Sequence, residues 1–249
     1  MATEARTPLH FSRFEFKYVL NRRRREEVEA ALQHFVELDP YVANRPQHNY
    51  FVRSLYFDNE AHSAFHDKMD GLLTRSKFRI RTYGHGLDDP APWFLEIKGR
   101  HNNLVFKHRT PLAGQFDKRT SGYELSQVVL RHATPGTVLE KFEFELYRRQ
   151  IRPMVLVHYL RRPYLSKFDP AFRLTFDSQL SAVASDAMFS DTAAMPFPML
   201  RGYTVMEVKF RRHVPAWFHR ILQAFDLRRE SVSKICAGMQ ALDLCTEPD

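Results

Sequence analysis

The chain has 249 residues, 44% of them hydrophobic and 27% charged, with a mean hydropathy of −0.44. Those values exclude a disordered chain and a membrane bundle and leave room for one well-filled core. A net charge of +8 and an isoelectric point of about 9.6 favour an anionic partner, without choosing between nucleic acid, a phospholipid surface and a phosphorylated small molecule.

Taken in chain order, the hydrophobic pattern predicts a strand over 13–20, a helix over 22–35, a strand over 50–58 and a helix over 60–69. Strands over 76–83, 93–100 and 104–111 come next, then helices over 116–132 and 137–150. Three more strands, over 153–166, 171–182 and 203–211, precede helices over 215–225 and 231–244. The longest connections fall near 84–92 and 185–198, and neither has the composition of a domain linker. The strands are not separated by regular crossover helices, so the expected class is α+β, one domain built on an antiparallel sheet or barrel with peripheral helices.

Two cysteines, Cys236 and Cys245, stand nine residues apart. On a helix that is about 900° and roughly 13 Å, which puts them on opposite faces and excludes a pair. No Cys/His cluster supports zinc or thiol chemistry. No apolar run approaches the roughly 18 residues that span a bilayer, and the first ten residues lack the apolar core of a secretory signal, so the expected location is the cytoplasm.

The informative pattern is charge at period two, because residues two apart on a strand share a face. Glu15 with Lys17, Lys77 with Arg79 and Arg81, Glu96 with Lys98 and Arg100, and Lys107 with Arg109 fall on common faces. So do Arg173 with Asp177 and Glu207 with Lys209 and Arg211, and Arg161 joins them from its own strand. The opposite faces carry Phe78 and Ile80, Leu95 and Ile97, Leu174 and Phe176, Met206 and Val208, which is the apolar set a core requires. A merely solvated face mixes neutral polar residues with both signs of charge, because dense like charge is repulsive. Curled into a tube, this sheet would have a lumen of guanidinium and ammonium groups, suited to a chain of phosphates. Glu15, Glu96 and Glu207 share that face and are the candidate ligands for Mg²⁺ or Mn²⁺, which need one or two carboxylates beside phosphate oxygens and water.

At these residues a family likeness emerges. Arg13-Phe-Glu15-Phe-Lys17, Ser54-Leu-Tyr-Phe-Asp58, Arg79-Ile-Arg81, Glu96-Ile-Lys98, Arg173-Leu-Thr-Phe-Asp177, Glu207-Val-Lys209 and Ser231-Val-Ser-Lys234 resemble, in order, the VTC polyphosphate polymerase domain. That domain is one of the triphosphate tunnel metalloenzymes, with the CYTH-type triphosphatases and cyclases. The resemblance implies a single domain over 1–249, with a core of about 11–245, folded as an eight-stranded antiparallel β-tunnel. It implies transfer of the γ-phosphoryl group of ATP to a growing inorganic polyphosphate chain. Tripolyphosphate hydrolysis and non-catalytic polyphosphate sensing stay open as alternatives.

Carried over by position, Lys17, Arg79, Arg81, Lys98, Lys107, Arg161, Arg173 and Lys209 would bind phosphate, Lys234 would close on the substrate, and Glu207 would hold the metal. Arg109 and Arg211 join the phosphate-binding set, and Glu15 and Glu96 the metal set, on strand parity. Two positions depart from the wider pattern. Arg13 stands where CYTH triphosphatases have the first acid of a Glu-x-Glu-x-Lys run, which favours the polymerase branch. Ser231 stands where polymerising members would carry a base, with Arg228 and Arg229 nearby. Eukaryotic members add a phosphate-sensing domain and membrane helices, so export of product would need a separate membrane partner. Nucleic acid is not expected, because lumen carboxylates repel a phosphodiester backbone and no nucleic-acid-binding signature occurs.

Other signals read as structure. The run Arg22 to Arg25 beside Glu26, Glu27 and Glu29 is a solvated helix face, His62 and His66 lie on an exposed helix, and Gly84-His-Gly86 is a hairpin turn. Tyr159 and Tyr164 read as strand-core aromatics rather than a base-stacking pair.

Overall fold

The computed structural model describes residues 10–102, 104–190 and 195–246, with side chains of the first strand from Phe14 onward. Its centre is an antiparallel sheet. The strands are β1 (His10–Asn21), β2 (Val36–Leu38), β3 (Tyr50–Asp58), β4 (Thr74–Thr82), β5 (Trp93–His101), β6 (Leu104–Leu112), β7 (Arg152–Ser166), β8 (Arg173–Ala184), β9 (Phe197–Pro198) and β10 (Tyr203–Phe210). They follow the order β2-β7-β3-β4-β5-β6-β1-β10-β8-β9, and β7 pairs in addition with β8. The second pairing decides the architecture. Val155 of β7 faces Tyr56 of β3 on one side and Ala184 of β8 on the other, so the ladder that leaves β7 through β3 returns to it through β8. Eight strands thus form a tunnel, the eight expected from the sequence, with β2 and β9 as short additions at its margins. Between the pairs His158–Ser181 and Leu160–Ser178, β8 carries one residue more than β7, a bulge that bends β8 at Gln179.

Helices cover the outside. α1 (Arg22–Leu32) is opened by the Asn21 side chain, which accepts the Arg24 N–H. Its arginines answer its glutamates one turn on, Arg22 with Glu26 at 3.0 Å and Arg23 with Glu27 at 2.9 Å, leaving Val28 and Leu32 to the core. The short helices α2 (Pro40–Ala43) and α3 (Ser63–Met69) follow. α4 (Gly122–His132) and α5 (Thr137–Arg148) bury Leu125, Val129, Val138 and Phe142 against Leu55, Phe57, Phe78, Ile80 and Leu95 on the outer face of β3–β5. α6 (Ala216–Ala224) joins α1 over β1, β10 and β8, where Phe218 and Ile221 meet Tyr18, Phe172, Leu174, Phe176 and Val208. Each fully buried aromatic of this kind stabilises the fold by about 2–3 kcal/mol.

The last helix, α7 (Lys234–Ala241), lies elsewhere. Its Ile235, Cys236 and Met239 pack on Val155, Val157 and Tyr159. Those three are cross-strand partners of Tyr56, Ser54 and Val52, on the inner face of the sheet. The helix is therefore a stopper within one end of the tunnel. Gly238 lets it in: a Cβ there would stand 3.2 Å from Ala182 Cβ and 3.3 Å from Val155 Cγ1. Cys236 and Cys245 are free thiols.

Several expected bounds shift. The helix expected over 116–132 begins only at Gly122, because residues 117–120 form a turn in which the Asp117 carboxylate accepts the Arg119 N–H. The helix expected over 231–244 spans Lys234–Ala241, since the residues before it are stretched along the tunnel. The expected strand over 203–211 stops at Phe210. Among the described residues no helix is long and apolar enough to cross a membrane.

Candidate functional site

Strand alternation delivers the charged residues to one enclosed space. Lys77, Arg79 and Arg81 enter from β4, Lys98 from β5, Lys107 from β6, Lys17 and Glu15 from β1, Glu207 and Lys209 from β10, and Arg161 from β7. The cavity they bound has a volume of about 440 Å³ and is lined by thirteen lysines and arginines against three glutamates. Lys234, the first residue of α7, completes the wall together with residues 229–233.

Three ionic groups organise the interior. In the first, Arg161 donates to both oxygens of Asp177 at 2.6 Å each and to Glu207 Oε2 at 2.9 Å. Lys234 Nζ bridges the same two acids, 2.6 Å from Glu207 Oε1 and 2.7 Å from Asp177 Oδ2. In the second, buried Glu96 accepts from Arg79 Nε at 2.8 Å and pairs with Lys107, with Arg81 3.8 Å away. In the third, Lys98 Nζ donates to both oxygens of Glu15, at 2.8 and 3.1 Å. Lys17 Nζ lies between the first and third groups, 3.6 Å from Glu15 and 3.6 Å from Glu207.

Neutral oxygens aim the remaining cations. Tyr56 Oη accepts from Arg79 Nη1 at 2.7 Å, Ser54 Oγ from Arg81 Nε at 2.9 Å, and Tyr159 Oη from Arg81 Nη2 at 3.1 Å. The Tyr159 ring also lies beneath the Arg161 guanidinium, at 5.2 Å, and the Lys234 ammonium, at 4.9 Å. The stretch ahead of α7 is tied down by lysines: Lys17 Nζ donates to Val232 O at 2.6 Å and Lys77 Nζ to Ser233 Oγ at 3.0 Å.

The electrostatics follow from more cations than acids in a dry space. Burial alone would raise the carboxyls of Glu207 and Glu96, yet Lys234, Lys209 and Arg161 around the first, and Lys107, Arg79 and Arg81 around the second, hold them well below the ordinary range. Glu15 is lowered in the same way, by Lys98 and Lys17. Burial pushes the ammonium groups of Lys77, Lys98 and Lys107 below the ordinary lysine value, since no acid is wholly theirs. Lys234 goes the other way: burial opposes its charge, but Asp177 and Glu207 outweigh it. A site with this imbalance gains from any added polyanion.

Three residues expected in the phosphate-binding set stand apart. Arg173, the first residue of β8, is exposed and outside the cavity wall, although its cross-strand partner Lys209 is within it. Arg211 is exposed and lies one residue beyond β10. Arg109 points to the inner side opposite Glu96, but its guanidinium is stacked 4.3 Å from the Phe94 ring centroid. Of the three candidate metal ligands, Glu15 and Glu207 approach each other through Lys17, whereas Glu96 is occupied by Arg79 and Lys107. Among the described residues no cluster of three or more histidine, cysteine or acidic side chains could hold a metal ion.

Tyr56, Tyr159, Asp177, Arg75 and Lys77 take part without having been singled out for the site. Parity had marked the last three as inner-face charges or left them at a strand end. Tyr56 and Tyr159 carried the same parity, but an aromatic on a strand reads first as core. Tyr164, by contrast, is on the outside, donating its hydroxyl to Glu29.

The fold and lining define a β-tunnel protein with a cationic interior. A model of the VTC domain matches residues 12–243, and the chain belongs to that family. Comparison with curated proteins gives no match. Among solved structures, a Bacillus halodurans protein described as a candidate adenylate cyclase shares the fold, with a TM-score of 0.54 and 13% identity over 91% of this chain and 96% of that one. The PH1819 protein of Pyrococcus horikoshii OT3 aligns at a TM-score of 0.47 and 11% identity, covering 94% of this chain and 99% of that one. The Mimivirus capping enzyme triphosphatase aligns at 0.37 and 8% identity, covering 89% and 90% of the two chains.

Proposed function

We propose that this chain is a polyphosphate polymerase that uses ATP, working inside the tunnel. The observation that carries the reading is the lining of thirteen cations against three glutamates around about 440 Å³. A flexible chain of phosphates meets that demand, and each phosphate takes bidentate arginine contacts. An oxygen of the terminal phosphate of the chain attacks the γ-phosphorus of ATP, the bond from that phosphorus to the β–γ bridging oxygen breaks, and ADP leaves. Such a transfer depends on positioning and charge stabilisation more than on a covalent catalyst. Arg79, Arg81, Lys98, Lys107, Lys209 and Arg161 hold phosphate oxygens in line, and Lys234 neutralises charge from the helix side.

A divalent ion, Mg²⁺ or Mn²⁺, would be held by Glu15 and Glu207 once phosphate oxygens draw off the Lys98, Arg161 and Lys234 groups now on their oxygens. Both are hard oxygen donors in contact with the same ammonium, and an ion of this kind needs one or two carboxylates when phosphates supply the rest. When bound, it supplies charge neutralisation along the bridging phosphates. Glu96, filled by its own cations, serves as their counter-ion.

Incubation of the protein with ATP and Mn²⁺, seeded with short polyphosphate, tests the proposal by gel staining of long chains and by counting ADP and orthophosphate. Long chains with equimolar ADP support it; orthophosphate without chains assigns a tunnel triphosphatase instead. A second reading, a non-catalytic polyphosphate receptor, is favoured by the ionic partners already on both oxygens of Glu207, and tight binding without any product would establish it.

A further inference from the structure

Tyr56 has a role that neither the family motifs nor the charge pattern assigns. Its side chain is 3% exposed and lines the cavity, and its hydroxyl oxygen accepts a 2.7 Å hydrogen bond from Arg79 Nη1. The charged neighbours of that oxygen are nearly all positive. β4 presents Lys77, Arg79 and Arg81, β5 presents Lys98, and α7 presents Lys234. Arg161 of β7 adds a further cation to the wall, bonded to Asp177 and Glu207. Glu96 of β5 is taken by Arg79 and Lys107, Tyr159 of β7 accepts from Arg81, and Cys236 of α7 is a free thiol. Asp58, on the same strand as Tyr56, turns to the α3 end, accepting the Asn59 and Ala64 N–H groups, and Lys68 of α3 adds another cation to the cavity wall. A phenol hydrogen-bonded to Arg79 in this position can become an anion among these cations.

We propose that Tyr56 is a positioning residue whose protonation is linked to the incoming polyanion: at mildly alkaline pH it is a phenolate counter-ion to Arg79 without polyanion, and a phenol once phosphates occupy the tunnel. The inference rests on polyanion binding as proposed above. As phosphate oxygens draw Arg79, Arg81, Lys98 and Lys234 to themselves, the charges that favour a phenolate are neutralised and a negative neighbour is added, so the oxygen takes a proton from solvent. Burial by itself would raise the pKa of this phenol, but Arg79, Arg81, Lys234 and Lys98 bring it down to about 8. The phenols of Tyr18, Tyr50, Tyr159 and Tyr164 all move upward, with burial the first cause of each.

Ultraviolet difference spectra near 295 nm, where tyrosinate absorbs, test this on the full chain titrated between pH 6 and 10, with and without tripolyphosphate. The expected result is a single low-pH tyrosinate band with its midpoint at about pH 8, absent in Tyr56→Phe and bleached in the wild type by tripolyphosphate. By calorimetry in buffers of different ionisation heat, the wild type takes up about half a proton more than Tyr56→Phe on binding tripolyphosphate near pH 8. Its dissociation constant rises against that of the variant by up to about tenfold per pH unit above that point. Binding of tripolyphosphate with the band unchanged, or a wild type without a band below about pH 9.5, overturns the inference alone. Absence of any binding heat overturns the polyanion reading, and the inference with it.

Discussion

Replacing Arg161 by methionine perturbs the most densely bonded charge in the tunnel. Arg161 donates three short hydrogen bonds, two to Asp177 at 2.6 Å and one to Glu207 at 2.9 Å, from a residue only 9% exposed. Lys234 serves the same two acids, and Lys209 at 3.3 Å and Lys17 at 3.6 Å stand beside Glu207 as well. Removing it strips the buried Asp177 of both of its arginine hydrogen bonds and leaves it only Lys234, and breaking a buried pair in this way costs about 3–5 kcal/mol. Methionine keeps most of the stem volume, so the loss reports charge rather than a cavity. Urea unfolding at neutral pH, followed by circular dichroism, measures it. Asp177→Asn in the same background should return more than half of the loss, because the excess negative charge is gone, and a double-mutant cycle reads that coupling directly. A single-variant loss below about 1 kcal/mol, the value of a solvated pair, would refute the reasoning, since it would mean that water already screens the group.

Three further outcomes follow from the same structure. Arg81→Met should weaken tripolyphosphate binding by about 1.5–3 kcal/mol by calorimetry, as loss of a charge-assisted hydrogen bond does, while Arg23→Ala on the outer face of α1 leaves it unchanged. Gly99→Ala should lower the thermal midpoint and cost about 1–3 kcal/mol, because its Cβ would meet Phe106 Cζ at 2.0 Å. Stability should fall as pH drops below about 4.5: Glu207, Glu96 and Asp177 have folded-state values below their unfolded ones, so their contribution is complete above the unfolded value and fades as pH falls through the folded one. Acid titration of the urea midpoint checks the sign. His158 adds an earlier decline between about pH 6.5 and 4, since burial and Arg53 lower its ring to about 4, and His158→Gln should remove that portion.

Much of the tunnel could be read from alternation. Once Lys77, Arg79 and Arg81 face Phe78 and Ile80 across one strand, the wet and dry sides of the sheet are assigned, and five further strands repeat the choice. Parity has no information on depth. Arg173 and Arg211 carry the inner parity but fall at strand ends, where the wall has run out, and Arg109 found an aromatic ring in place of the lumen. Nor could periodicity distinguish α7 inside the ring from a helix packed outside, because both bury one apolar stripe. What separates them is Gly238, whose need for close approach appears only when Ala182 and Val155 are seen beside it. The hydroxyls of Tyr56 and Tyr159 were hidden for a related reason: a ring in a strand buries well anywhere, and only the arginines opposite reveal which end of it matters.

The stopper has a consequence for how the molecule is made. β1 is held by β6 on one side and by β10 on the other, so the first strand synthesised cannot complete its pairing until residues 203–210 have been translated. Until then the nascent sheet is an open ribbon with two long unpaired borders, the state most exposed to joining a neighbouring chain. Closure must then precede the arrival of α7, whose sequence follows that of every strand in the ring and whose seat lies inside it. The order of residues along the chain is thus also an order of assembly, in which the cask is hooped before it is corked.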